Sequence, residues 1–319
     1  MRWLAGAGWT GLLLGLGWVL LVGGLAQAAG GHGFAVSPAF QPVEIAAGQS
    51  QVEFELKLTN HASQDQNFRL SAADFGALDE EGGVAFLGQP TGELEHRYGL
   101  ASWMRLSANA VFVPAGKTVA ITVTIDNRAS LAPGGHYGAV LATAVTDSGA
   151  PVTGSAEVGV RQVLSSLVLV TKDGGAAPSL RLVSQTTDGG WWHLPGQIDQ
   201  RFEDDGNVHV VPRGVVEVRD PLGRVVQRAA LNAESAVILP ESYRNYHTSL
   251  LKLALAWLPG RYAVVSTYRY DGTEQTQMLT TSFWYAGQVV IWLTILLALV
   301  AAGLLGWWLW RLNRPTRLR

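Results

Sequence analysis

Gln51 to Leu58 alternates strictly, with Val52, Phe54, Leu56 and Leu58 on one side and Glu53, Glu55 and Lys57 on the other. A period of two with one charged face predicts a half-buried antiparallel strand. Lys117 to Ile125 repeats the pattern through Val119, Ile121, Val123 and Ile125, with mostly threonine between them. Leu251, Leu253, Leu255 and Trp257 predict a further strand, and Tyr262, Val264, Tyr268 and Tyr270 another. Turn clusters separate such runs: Pro133-Gly134-Gly135, Asp220-Pro221-Leu222-Gly223, Pro259-Gly260 and Asp271-Gly272. Between the two ends of the chain no amphipathic helical period exceeds two turns. Many short strands at this spacing predict an all-β sandwich architecture.

The pattern also repeats at longer range. Ala110-Val111-Phe112-Val113-Pro114 returns as Ala236-Val237-Ile238-Leu239-Pro240, and each proline is followed nineteen residues later by a Pro-Gly pair, at Pro133 and Pro259. A tyrosine comes next in both copies, Tyr137 and Tyr262. A shared offset predicts two tandem immunoglobulin-like β-sandwiches, with the tyrosine near the start of the penultimate strand, where such folds place a corner tyrosine. Lys172 to Pro178 breaks the apolar run Val158–Val170, so the first domain covers 29–172 and the second 178–284. The first carries a polar insertion over Asp74–Leu100, with Asp79-Glu80-Glu81-Gly82-Gly83 at its tip. The second carries a hairpin, Gly214–Asp220 with Gly223–Leu231.

Both ends are greasy. Arg2, the apolar stretch Trp3–Leu25 and the small-residue pattern Ala26-Gln27-Ala28 predict a signal peptide over 1–28, with an uncleaved anchor as the competing reading of so long a stretch. Val289 to Trp310 has 22 residues without a charge, roughly 33 Å as a helix, enough for a hydrocarbon layer of about 30 Å. Trp284 and Tyr285 precede it and Trp307, Trp308 and Trp310 close it, the positions of interfacial aromatics. Arg311, Arg314, Arg317 and Arg319 then mark the tail 311–319 as cytoplasmic, which places the body of the chain on the outer side as a single-pass membrane protein.

Composition narrows the chemistry. The 319 residues hold no cysteine, which excludes disulfides, thiolate nucleophiles and thiolate-bound metals. Setting aside Arg2 and the four tail arginines leaves 18 basic residues against all 25 acids, a net charge of −7 for the exported part. Such a balance argues against nucleic acid and against docking on anionic lipid. The seven histidines have no metal-ligand spacing, and Asp204-Asp205-Gly206-Asn207 lacks the alternating aspartates of a calcium loop, so it reads as a polar turn. Hydrolase motifs and phosphate loops are absent; no catalytic residue, cofactor or metal is predicted, and the chain is not read as an enzyme. Trp191-Trp192-His193 is the candidate for partner binding, because neighbouring strand residues face opposite ways and one indole would be exposed; edge or inter-domain packing is the plainer use of such a residue. Trp103 is read as core.

Phe34-Ala-Val-Ser-Pro38, the Gln51–Asn60 strand, the Trp103 segment, Val113-Pro-Ala-Gly-Lys117 and Pro133-Gly-Gly-His-Tyr-Gly138 resemble the first domain of WxL-interacting-type cell-surface proteins of Gram-positive bacteria. Gly206-Asn-Val-His209, Pro212-Arg-Gly214 and Ile238-Leu-Pro-Glu-Ser-Tyr-Arg244 resemble the second domain that accompanies it. The resemblance implies a surface-displayed scaffold without catalytic residues, whose domains hold peptidoglycan or another surface protein. The resulting expectation is a membrane-anchored extracellular binding protein. A chaperone-like protein that captures exported subunits by strand addition is the second expectation.

Overall fold

A computed structural model describes residues 33–87, 97–145 and 163–312. The first domain runs through β1 (Phe34–Ser37), β2 (Phe40–Ile45), β3 (Gln51–Asn60), β4 (Gln66–Ala77), β5 (Val84–Leu87), β6 (Met104–Leu106), β7 (Ala110–Val113), β8 (Thr118–Asp126), β9 (Gly134–Ala144) and β10 (Val163–Lys172). One sheet has the order β1-β3-β8-β6; the other has the order β2-β10-β9-β4-β5, with β7 also on β4. The predicted alternation is realised here: Leu56 and Leu58 of β3 and Ile121, Val123 and Ile125 of β8 face inward, where Phe68, Val113, Val168 and Val170 of the other sheet meet them. The chain enters on one sheet as β1 and crosses at the cis Ser37–Pro38 peptide to the other as β2, which lies parallel to β10. Trp103 belongs to this core. Asp74 is buried, and its Oδ1 accepts the N–H groups of Leu100 (2.8 Å) and Ala101 (2.7 Å), pinning the returning end of the insertion beneath β4.

The second domain contains β11 (Leu180–Thr187), β12 (Gln197–Asp204), β13 (Arg213–Arg219), β14 (Val225–Leu231), β15 (Ser242–Ser249), β16 (Leu251–Lys252), β17 (Gly260–Arg269) and β18 (Gln277–Tyr285). A sheet β11-β12-β15 packs on a sheet β16-β14-β13-β17-β18 around Ile198, Phe202, Val216, Val218, Tyr262 and Val264. Two sandwiches in tandem is thus the architecture, followed by a single helix, α1 (Gly287–Leu312). The paired Pro-Gly motifs open β9 and β17, and Gly134 and Gly260 both take positive φ there, +115° and +144°, which a side chain would resist. The two corner tyrosines part company. Tyr262 donates its hydroxyl to the carbonyl of Leu258, four residues upstream (2.8 Å), whereas the Tyr137 hydroxyl accepts the backbone N–H of His209 in the other domain (2.8 Å).

The alternation of Leu251, Leu253, Leu255 and Trp257 does not make a long strand. Only the two residues of β16 pair, and all four side chains are exposed, so the period of two here marks a surface rather than a buried face. α1 is apolar on every side, with Gly287 its sole buried residue, and is long and apolar enough to cross a membrane. Arg311 lies over the Trp307 ring at 5.3 Å. The signal segment 1–28 and Arg314, Arg317 and Arg319 fall outside the described residues. Tyr285, expected beside Trp284 at a membrane interface, is 4% exposed and stands edge-on to Tyr262 in the sandwich core: β18 turns it inward and Trp284 outward. Because the Tyr262 bond closes within its own domain, Tyr262→Phe is expected to lower stability in chemical denaturation by about 1 kcal/mol. Tyr137→Phe should leave each domain's own unfolding nearly unchanged and loosen their contact.

Candidate functional site

The site forms where the two domains meet. In β10, Val168 and Val170 point into the first domain's core, so Leu167 and Leu169 must point out of it. Leu169 is nevertheless 1% exposed, because Phe75, Tyr137 and Ala139 of the same outer face join it against Val237 and Leu239 of the second domain. This cover is partial. Beside it opens a cleft of about 670 Å³, floored by Phe40, Leu167 and Val84 on one side and Val211 and Val237 on the other, with the Arg213–Asp271 pair (2.5 Å) at its rim. A cavity of that size, apolar with a few charged groups at its edge, has the make-up of a binding site.

The strand beside the cleft is only half paired. β10 bonds to β9 along its whole length, but β2 accompanies it only from Leu167 to Lys172. The first bond on that side is the Leu167 N–H to the Ala39 carbonyl (2.9 Å), and the Ser166 hydroxyl donates to Pro38 (2.6 Å) where β2 departs. Alternation gives Ser165 and Val163 the same outward backbone groups, and among the described residues no strand pairs them. An unpaired edge of this kind is a template for another chain.

A polar clamp holds the cleft's walls together. The tip of the β4–β5 hairpin reaches the outer face of β12 and β15, on which Asp199, Arg201, Asn245 and His247 are cross-strand neighbours. Arg201 forks onto Glu80 (2.7 and 2.6 Å), and the Asn245 N–H donates to the Glu80 carbonyl (2.7 Å). Glu81 accepts from Asn245 (2.9 Å) and from His247 Nε2 (2.9 Å), while His247 Nδ1 faces Asp199 (2.7 Å). The Arg201 bond holds Glu80 below its ordinary value; the Asn245 and His247 bonds do so for Glu81, and the His247 bond for Asp199. Asp199 and then Glu81 raise His247 in return. Deeper in the joint, burial pushes Asp204 up to about 7 and His209 down to about 4, so the interior of the contact favours uncharged groups.

The acidic hairpin tip, legible in the sequence only as a polar insertion, is therefore an inter-domain contact, and no local pattern announces its partner. Trp191 and Trp192 lie elsewhere, at the end of the second domain from which α1 departs. Both are exposed, 59% and 65%, because their segment is a turn and the strand alternation that would bury one does not apply. Trp191 stacks on Trp284 with ring centroids 6.0 Å apart. Asp204 closes a polar turn as expected, its Oδ1 accepting the Gly206 N–H (2.9 Å). Among the described residues no group of three or more acidic or histidine side chains is placed to hold a metal ion.

No family model matches the sequence, and no curated protein does. Among solved structures the chain is similar in fold to a chain of the chaperone–tip adhesin complex of CFA/I fimbriae (12% identity, TM-score 0.42, covering 79% of this chain and 98% of that one). It is similar also to the class 5 fimbriae chaperone CfaA (13%, 0.41, 79% and 99%) and to a chain of the CsuC–CsuE pre-assembly complex of Acinetobacter baumannii Csu pili (10%, 0.36, 79% and 99%).

The clamp sets a pH window. A neutral imidazole donates one hydrogen bond, so serving Glu81 and Asp199 together requires the protonated ring. With its pKa raised, His247 contributes fully below about 6.5 and loses its contribution as pH rises through the folded value. The carboxylates, with lowered pKa values, contribute fully above about 4.5 and lose theirs as pH falls through the folded values. One engineered cysteine in each domain of this cysteine-free chain allows the inter-domain distance to be followed by energy transfer. It should be shortest between those limits and lengthen on either side of them; His247→Gln should flatten the alkaline arm, and an unchanged arm would remove His247 from the account.

Proposed function

We propose that the chain is a membrane-anchored binding protein, its two sandwiches outside the cell membrane, that captures an extended segment of an exported or surface protein by adding it as a strand to β10. The observation that carries this reading is the edge of Val163–Ser166, unpaired on one side among the described residues and continuous with Leu167, which lines the apolar cleft. A segment laid along that edge would continue the line of β2, its backbone satisfied by the Ser165 and Val163 groups and its apolar side chains covered by Phe40, Leu167 and the facing wall. Sequence considerations alone placed first a scaffold holding either a cell-wall polymer or a surface protein; the edge and the cleft favour a polypeptide, because a glycan offers no strand ladder. The WxL-interacting resemblance is compatible with a surface-protein partner in the same position. The long apolar helix supports single-pass anchoring, with a cleavable signal at 1–28 as the export device.

A photo-crosslinking residue at Val163, in the intact protein on living cells, tests this. Adducts with an exported polypeptide are expected. Ser165→Pro removes one donor from the open edge without touching the β9 ladder. It should weaken capture about fivefold, as the loss of one ladder bond at roughly 1 kcal/mol implies. Adducts confined to cell-wall polymer, with capture indifferent to Ser165→Pro, would restore the scaffold reading.

A further inference from the structure

Every loop at the α1 end of the second domain carries exposed apolar side chains. β18 runs directly into the helix, so this end also holds the 188–196 segment, the 220–224 turn and the stretch after β15. Trp191 and Trp192 come from the first. Leu222, 72% exposed, comes from the second, whose Asp220 accepts the N–H groups of Leu222 and Arg224 (both 2.9 Å) and so presents the leucine at the tip. Leu253, Leu255 and Trp257 come from the third, the failed strand.

These segments are tied to each other and to the helix. Trp191 accepts the Ala286 N–H at its carbonyl (2.9 Å) and stacks on Trp284. Ala256 accepts the Gln288 N–H (3.3 Å), Val226 accepts the Leu253 N–H (2.9 Å), and Arg224 lies over Trp257 at 5.9 Å. Ile291, one turn into α1, still packs against the domain's core.

Length then fixes the height of this collar. α1 has 26 residues and is about 39 Å long, against a hydrocarbon layer of about 30 Å. With Trp307, Trp308, Trp310 and Arg311 at the far interface, twenty residues back along the helix lie Gly287 to Ile291. Loops in contact with residues 286–291 therefore lie in the headgroup layer, with no room for a water-filled gap. Tryptophan and leucine with polar neighbours are the composition that layer accepts, and a soluble domain rarely leaves so many together in water.

We infer that the collar formed by Trp191, Trp192, Leu222, Leu255 and Trp257 is a second membrane contact, inserted into the phospholipid headgroup layer around α1, which seats the second domain on the bilayer rather than letting it swing on a tether. The inference rests on the anchoring reading above. It makes the tryptophan pair a lipid contact and leaves partner binding to the cleft. The contact is apolar, so it needs no anionic lipid and survives high salt, consistent with the acidic exterior.

The absence of native cysteine makes the test direct. Nitroxide labels are placed one at a time at Leu222→Cys, Leu255→Cys, Glu274→Cys at the opposite end of the domain, and Ala302→Cys within α1. The full chain is reconstituted in phosphatidylcholine vesicles. Collision with oxygen, relative to a water-soluble nickel chelate, is expected to rise several-fold at 222 and 255 over 274, in low and high salt alike. Trp191→Ser combined with Trp192→Ser should return 255 toward the value at 274 while leaving 302 in the bilayer. Labels at 222 and 255 as aqueous as 274, with 302 in lipid, would overturn the collar and leave the anchor standing. An aqueous 302 would overturn both. Dipolar coupling between 255 labels on two chains, without gain of oxygen access, would assign the surface to a second copy and overturn the lipid contact.

Discussion

The sheet that carries β9 and β10 is apolar on both faces, and the molecule is arranged around covering it twice. Val168 and Val170 are covered by the first domain's own second sheet; Leu169, Tyr137 and Ala139 turn the other way and are left to the second domain. A sheet buried on both sides is ordinary in folds that layer helices on it, but an antiparallel sandwich normally wets one face. Here the second layer is another sandwich, through Val237 and Leu239. Tyr137 registers the consequence: its hydroxyl leaves the corner bond that Tyr262 keeps and joins the His209 backbone across the joint. The cleft opens where this cover is incomplete, between Phe40 and Leu167 of the outer face and Val211 and Val237 of the second domain.

Two kinds of force therefore act on the two walls. The apolar contact at Leu169 and Tyr137 is buried and insensitive to salt, and it fixes that the domains touch. The Glu80 and Glu81 clamp is exposed, and isolated surface ion pairs of this type add little stability because water screens them. Its fork geometry, with Arg201 also lying 3.9 Å over the Tyr243 ring, restricts direction more than it adds strength. A joint built in this way has a firm base and an adjustable mouth.

Much of this was legible in the residues. Period-two runs located β3, β8 and β17, and the Pro-Gly-Tyr spacing located the matching strands of two domains. The helix followed from 22 uncharged residues. What failed has one cause, that periodicity reports faces and not what covers them. The Leu251–Trp257 alternation looked like a buried strand and is a surface. Tyr285 looked like the partner of Trp284 and is core, since one step along β18 reverses the side chain. Leu167–Val170, the end of the apolar run, held the useful signal: consecutive apolar residues in an otherwise alternating protein mark a strand covered on both faces, and hence a domain contact. The acidic tip and the buried network in which Gln200 donates to Ser266 (2.7 Å) and Gln185 donates to Thr281 (2.9 Å) depend on residues distant in sequence and leave no local trace.

β17 ties the anchor to the cleft. Its first residue, Gly260, packs beside the turn next to α1, and the Tyr270–Asp271 segment just beyond its last residue, Arg269, reaches the cleft rim. Ten residues at about 3.4 Å each separate the two by roughly 34 Å. The distance is set by a hydrogen-bonded strand in the middle of a sheet rather than by a flexible tether, because β17 is flanked by β13 and β18 along its length. On the anchoring and capture proposed above, a seat at the membrane surface would pass through one rigid sandwich to the cleft rim, and so to the β10 edge left unpaired among the described residues. In that arrangement a segment emerging from the membrane would meet the edge only after about ten extended residues had cleared the headgroups, which would favour chains already exported over chains still crossing.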